Sequence, residues 1–176
     1  MKRTVIAYWL IPAEPERGIL EDLIADLARR YNAPVFEPHV TIHAGSQRGG
    51  VTEKVISQSV PRQEPFSLGL LDAGHSDKFT KAVFVRLVLS AELQRLNEII
   101  RGLAQHSSHY ELKPHLSLIY KKMPVTSRRE LAASIELPFS EVAFDSIKAV
   151  RCASPTSTPA DVAKWRVLGS VALPRA

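Results

Sequence analysis

Phe36-Glu37-Pro38-His39-Val40-Thr41-Ile42 and Leu112-Lys113-Pro114-His115-Leu116-Ser117-Leu118 are one phrase written twice: apolar, charged, Pro, His, apolar, hydroxyl, apolar. Proline fixes φ and removes a ladder donor, so both phrases suit the first residues of a strand. In a strand, residues i and i+2 share a face. His39 then points with Thr41 and His115 with Ser117, while Val40, Ile42, Leu116 and Leu118 point the other way. Each copy offers an imidazole beside a hydroxyl. Two such pairs facing one cleft supply a general base, a general acid and two neutral donors for phosphate oxygens, the outline of a phosphoester-cleaving site. A lone His-x-Thr would read as a partly exposed His beside a β-forming Thr; the repetition, with Pro before both histidines, favours a functional pair.

The flanking sequence repeats an order of elements as well. Thr4–Ile11, rich in β-branched and aromatic residues, predicts a buried strand, and Pro15 the first turn of a helix. Leu20, Leu23, Ile24, Leu27 and Ala28 recur at helical spacing until Asn32 and Pro34. After the first phrase, Gly45, Gly49 and Gly50 mark a loop. Thr52–Val60 predicts a short helix with an incomplete capping box, because Val55 stands where Glu or Gln would be. Phe66–Leu71 and Ala82–Leu89 read as antiparallel strands joined by a polar loop, Asp72–Lys81. Ser90 caps a helix whose apolar positions are Leu93, Leu96, Ile99, Ile100 and Leu103. Thr126 opens a helix that ends near Ile135, before Pro138. Phe139–Arg151 and Ala163–Leu173 predict two closing strands, with a mobile loop at Ala153–Asp161, rich in Pro, Ser and Thr. The expectation is an α+β fold spanning residues 1–176 as a single domain: two pseudo-symmetric lobes of antiparallel sheet with flanking helices and a cleft between them.

Composition narrows the function classes. The 176 residues are 45% hydrophobic, with 23 Lys and Arg against 18 Asp and Glu, a net charge of +5. That balance suits an anionic ligand. The sequence shows no concentrated basic run; Lys121-Lys122 and Arg128-Arg129 are isolated doublets that read as solvated surface charge. Cys152 is the single cysteine, so neither an intrachain disulfide nor a cysteine zinc finger is expected. The apolar run at the N-terminus is shorter than the ~18 residues of a membrane span and lacks signal-peptide flanks, so a cytoplasmic protein with no membrane partner is expected; it is also expected to be a monomer. Two imidazoles are an incomplete metal set. Glu37 could add a carboxylate to the first phrase, but its counterpart is Lys113, so no metal and no cofactor are expected. His43 is assigned a solvent-exposed or supporting role on the His39 face, and His75, His106 and His109 are assigned to the surface.

The paired motifs His39-Val40-Thr41-Ile42 and His115-Leu116-Ser117-Leu118, with Tyr120 close behind and the opening Tyr8-Trp9-Leu10-Ile11-Pro12, resemble the two-histidine phosphoesterase superfamily. Within it the chain is most similar to the cyclic phosphodiesterase-like family. The resemblance implies metal-independent hydrolysis of a nucleoside 2′,3′-cyclic phosphate, or of ADP-ribose 1″,2″-cyclic phosphate, to a monophosphate. His39, Thr41, His115 and Ser117 would be catalytic, and Trp9, Phe84 and Tyr120 would contact base or sugar. The partner would be a small nucleotide cyclic phosphate, with RNA 3′ ends as a second class. Two alternatives use the same motifs: a 2′,5′ RNA ligase-like enzyme, and a non-catalytic module holding an AMP-like monophosphate. The plant members carry a disulfide that the unpartnered Cys152 cannot form.

Overall fold

The computed structural model describes residues 2–46, 52–59, 63–104 and 109–175. Its elements run β1 (Arg3–Pro12), α1 (Glu16–Tyr31), β2 (Val40–Ser46), α2 (Thr52–Ser59), β3 (Phe66–His75), β4 (Val83–Leu87), α3 (Ala91–Ala104), β5 (His115–Ile119), α4 (Val125–Ala133), β6 (Glu141–Ser154), α5 (Pro159–Ala163) and β7 (Arg166–Ala172). The alternation read from the sequence is present, with α5 added. Gly49, Gly50, Val60 and His106 lie outside the described residues, and Gly45, expected to mark a loop, is still within β2.

All pairings in the seven-stranded sheet are antiparallel, in the order β2-β1-β6-β3-β4-β5, with β7 also on β6. β3 joins the two halves. Phe66–Gly69 pair with β6, and beyond a bulge Ala73–His75 pair with β4. The two phrases therefore occupy opposite ends of the strand order, β2 and β5. What brings these ends together is an exchange of helices. α1, from the first half, packs on β5, and α3, from the second half, packs on β2. The Lys121 ammonium, just past β5, reinforces the exchange by donating to the carbonyls of Tyr31 and Asn32 at the end of α1, where the helix dipole favours a cation.

One face of the sheet carries the core. Ile6, Tyr8 and Leu10 of β1, Val40 and Ile42 of β2 and Leu116 and Leu118 of β5 join Leu20, Leu27, Leu93, Leu96, Ile100 and Leu131 from the helices. Ala7 and Trp9 of β1, Thr41 of β2, His115 and Ser117 of β5, and His39 just before β2 line a cleft on the opposite face. Strand period thus separates core from site, except where a bulge in β2 breaks the alternation. Among the described residues no helix is long and apolar enough to cross a membrane.

Two loop expectations are corrected. Asp72–Lys81 is not a loop throughout. β3 continues to His75, because Gly74 pairs with Phe84 and the Asp72 carboxylate accepts two bonds from Arg86 of β4. Phe79–Lys81 then forms a single 3-10 turn. Ala153–Asp161 is tied down: β6 runs to Ser154, and α5 begins with a full capping box between Thr158 and Asp161. The Asp161 carboxylate also accepts from Ser157 N–H at 2.9 Å and pairs with Lys2.

Candidate active site

Both phrases bend the backbone in the same way. His39 Nδ1 lies 2.7 Å from the Glu37 carbonyl, and His115 Nδ1 lies 2.7 Å from the Lys113 carbonyl. A carbonyl only accepts, so each Nδ1 carries the proton and each Nε2 is left as the working nitrogen. Pro38 and Pro114, between carbonyl and imidazole, stiffen this turn. The rings converge on one cleft of about 460 Å³ that is also lined by Trp9, Thr41, Ser117 and Tyr120. They are close enough that a charge on His115 opposes one on His39.

Burial sets the protonation state. His39 is 8% exposed, and loss of water lowers its pKa to about 3, against the pull of the Glu37 carbonyl. His115 is lowered to about 4, chiefly by burial and further by the positive charges of Lys81 and Lys78. Both rings are neutral in the ligand-free cleft near pH 7. A bound anion would raise both, by the attraction between opposite charges.

The supports of the two rings differ. Trp9 stacks on His39 with ring centroids 3.7 Å apart and 10° between planes, and Trp165 meets Trp9 edge-on at 5.2 Å. Phe84 meets His115 edge-on at 5.6 Å. Phe84 lies outside the lining of this cleft: it packs behind His115 and lines a neighbouring pocket, with the Lys81 ammonium 4.4 Å from its ring centroid. The glycine at 74 makes room for it, since a Cβ there would sit 2.8 Å from the Phe84 ring. Trp9 and Tyr120 do line the cleft, but each has a face already taken, by His39 and by Phe36 at 3.7 Å respectively. Burial holds the Tyr120 phenol well above its usual pKa, so it stays a proton donor.

Thr41 lines the cleft, as expected. Ser117 lines it too, but its hydroxyl donates to the Thr80 carbonyl at 2.7 Å. His43 is not solvent-exposed, nor is it on the His39 face. Tyr8 pairs with His43 and Trp9 with Thr41, so Ile42 is an extra residue in β2. This bulge reverses the alternation. Thr41 and Ala44 face the cleft, whereas His43 is fully buried between Tyr8 and Tyr110. Side chains satisfy the neighbouring carbonyls: Asn97 Nδ2 donates to Ile42 at 2.6 Å and the Tyr110 hydroxyl to Thr41 at 2.9 Å. His75 ends β3, with Arg128 Nε 3.4 Å from its Nδ1, and His109 is exposed.

Sequence reasoning missed Lys78, Thr80, Tyr110 and Trp165, all of which line the cleft. Lys78 is the one formally charged side chain in that lining among the described residues. Glu37, the candidate third metal ligand, is held by Lys148 at 2.5 Å, and no trio of His, Cys, Asp or Glu gathers to hold a metal among the described residues.

With this geometry in view, comparisons with known proteins agree. The family profile of the cyclic phosphodiesterase-like protein matches residues 4–173. A cyclic phosphodiesterase of Arabidopsis thaliana is 20% identical over 160 residues, 89% of this chain and 88% of its own. Among solved structures, LigT of E. coli complexed with 3′-AMP superposes with a TM-score of 0.62 at 14% identity, covering 99% of this chain and 100% of LigT. TT0787 of Thermus thermophilus gives 0.63 at 17% identity over 99% of both chains. The α+β fold and the superfamily expected from the two phrases are borne out, and the chain belongs to the cyclic phosphodiesterase-like protein family, a phosphodiesterase of the two-histidine phosphoesterase superfamily.

Proposed function

We propose that this protein hydrolyses a cyclic phosphate, a nucleoside 2′,3′-cyclic phosphate or ADP-ribose 1″,2″-cyclic phosphate, to the monophosphate by paired-histidine acid–base catalysis. The observation that carries this reading is the matched pair of 2.7 Å Nδ1–carbonyl contacts, which present two Nε2 atoms to one cleft. The 3′-AMP held by LigT, a nucleoside monophosphate of the kind ring opening would yield, supports it.

The bound anionic substrate raises the pKa of one imidazole, which takes up a proton from solvent. The other, still neutral, takes a proton from water as the water oxygen bonds to phosphorus. The protonated ring then gives its proton to the leaving ring oxygen as that P–O bond breaks. Each transfer supplies ~10² to 10⁴ in rate. Charge grows on the non-bridging oxygens, where Thr41 donates and Ser117 can donate by rotating its O–H away from Thr80. Lys78 supplies the counter-charge. On product release the proton taken from water passes to solvent, and both rings return to their neutral, desolvated state.

The test is ring opening followed by phosphorus NMR, with EDTA-treated protein and each 2′,3′-cyclic nucleotide or ADP-ribose 1″,2″-cyclic phosphate. Turnover that survives EDTA and identifies which oxygen keeps the phosphate is the expected result. Tight 3′-AMP binding with no turnover of any substrate would instead make the protein a nucleotide-binding module.

A further inference from the structure

A second pocket, of about 380 Å³, lies beyond His115, which lines both it and the cleft. Lys81, Arg86 and Lys113 line it, and Leu71, Leu89 and Leu112 supply its apolar part. No basic run in the sequence announced this cluster; it is assembled from the turn after β3, from β4 and from the second phrase. Arg86 is engaged by Asp72 in a two-bond pair. Among the described residues Lys113 pairs with exposed Glu111 alone, at 2.9 Å, a contact of little worth in water. Among the described residues no carboxylate pairs with Lys81 or with Lys78.

Lys81 is placed rather than trailing in solvent, with its ammonium 4.4 Å from the Phe84 ring centroid. Its pKa is lowered by burial and then by the like charges of Lys78, Lys113 and Arg86. Gathering cations without a counter-charge costs free energy that a bound anion recovers. Beside the cations, Leu71 is 61% and Leu89 43% exposed, apolar surface left open to water. A chain of nucleotides alternates these two demands, an anionic phosphate and a flat apolar ring.

We propose that this pocket is a subsite for the neighbouring nucleotide of a substrate whose last nucleotide carries the cyclic phosphate: Lys81 and Lys113 bind the linking phosphate, and Leu71, Leu89 and Leu112 receive the adjoining base. The substrate class is then an oligonucleotide 3′ end. This deepens the reading of the cleft as a phosphate site, and the test does not depend on turnover.

Calorimetric affinities of the parent protein for 3′-AMP, adenosine 3′,5′-bisphosphate and the dinucleotide ApAp separate the parts. ApAp should bind at least about tenfold more tightly than 3′-AMP, the gain of one charge-assisted contact plus base burial, with the bisphosphate between them. In the Lys81→Met/Lys113→Met variant the ApAp to 3′-AMP ratio should fall toward one. The log–log salt slope for ApAp should also flatten by about 0.7 for each lost phosphate contact. Leu71→Glu, at an exposed position, should lower the same ratio through charge repulsion. Equal binding of ApAp and 3′-AMP by the parent, or a ratio unchanged in all variants, would overturn the subsite. Bisphosphate binding as tightly as ApAp would overturn its nucleoside half. Ring opening without any ApAp preference would sink the subsite alone; an ApAp preference without ring opening would sink only the hydrolase reading.

Discussion

His39 and His115 occupy the same place in the same phrase, with the same carbonyl on Nδ1, yet aromatic rings support one and cations surround the other. Trp9 stacks flat on His39, and Phe36 and Trp165 approach it edge-on at 6.4 Å each. His115 has Phe84 behind it and Lys78 and Lys81 near enough to oppose its charging. The backbone turn is what the repeat preserves, because it sets the tautomer and aims Nε2. The surroundings are free to differ, and under the proposed mechanism they would divide the labour: the His39 side fixes a ring, and the His115 side attracts and neutralises an anion.

That contrast can be broken from either side. Trp9→Ala should have the largest effect on folding, about 3–5 kcal/mol by urea denaturation, as expected for a buried Trp whose neighbours cannot close the gap. Trp9→Phe, which keeps a stacking face, should recover most of the loss. On the other side, Lys78→Met should leave stability nearly unchanged but lower kcat about 10²-fold, by removing the cleft's counter-charge. Lys78→Arg should restore part of it. A variant that lost stability rather than kcat would place Lys78 in the structural half of the comparison.

Smaller effects sharpen the division. Asn97→Ala leaves the Ile42 carbonyl buried without its donor and should cost about 1–3 kcal/mol, again read by urea denaturation. Acid should weaken the His39 side. The folded pKa of His39 lies near 3, below the ordinary value of 6.5, so between these values the unfolded chain binds more protons than the folded one. The stability contributed is complete above pH 6.5 and falls as the pH drops toward 3, by up to about 1.4 kcal/mol per unit. Urea midpoints at pH 7 and pH 5 should differ in that direction, and less so in His39→Gln.

How much of this was legible in advance follows from the range of each interaction. The two phrases announced the strands, the cleft-facing His, Thr and Ser, and the α+β order, because strand period and proline act within a few residues. Ser90 was legible as a cap, and its Oγ accepts from Leu93 N–H at 3.2 Å. The inward turn of His43 was not, since it depends on a one-residue bulge against Tyr8 held by Asn97 of a distant helix. Phe84 looked like a cleft aromatic because its strand was visible, but where its ring fits, against Gly74 and His115, depended on neighbours across the ladder. The cation cluster was invisible for a similar reason: Lys78 and Lys81 share the turn after β3, but Arg86 and Lys113 come from β4 and the second phrase. Ala153–Asp161 had the composition of a loop, yet its Thr158 and Asp161 also have the spacing of a short capped helix, a signal that could have been found.

The central claim is that the two imidazoles act as a unit on one phosphate. A double-mutant cycle tests it most directly: kcat for the parent, His39→Ala, His115→Ala and the double variant on one 2′,3′-cyclic nucleotide. Because proton removal and proton donation belong to one displacement, each single variant should lose about 10² to 10⁴ in kcat, and the double variant should be scarcely slower than either. Losses that multiply in the double variant, or one single variant that retains parental kcat, would contradict the pairing.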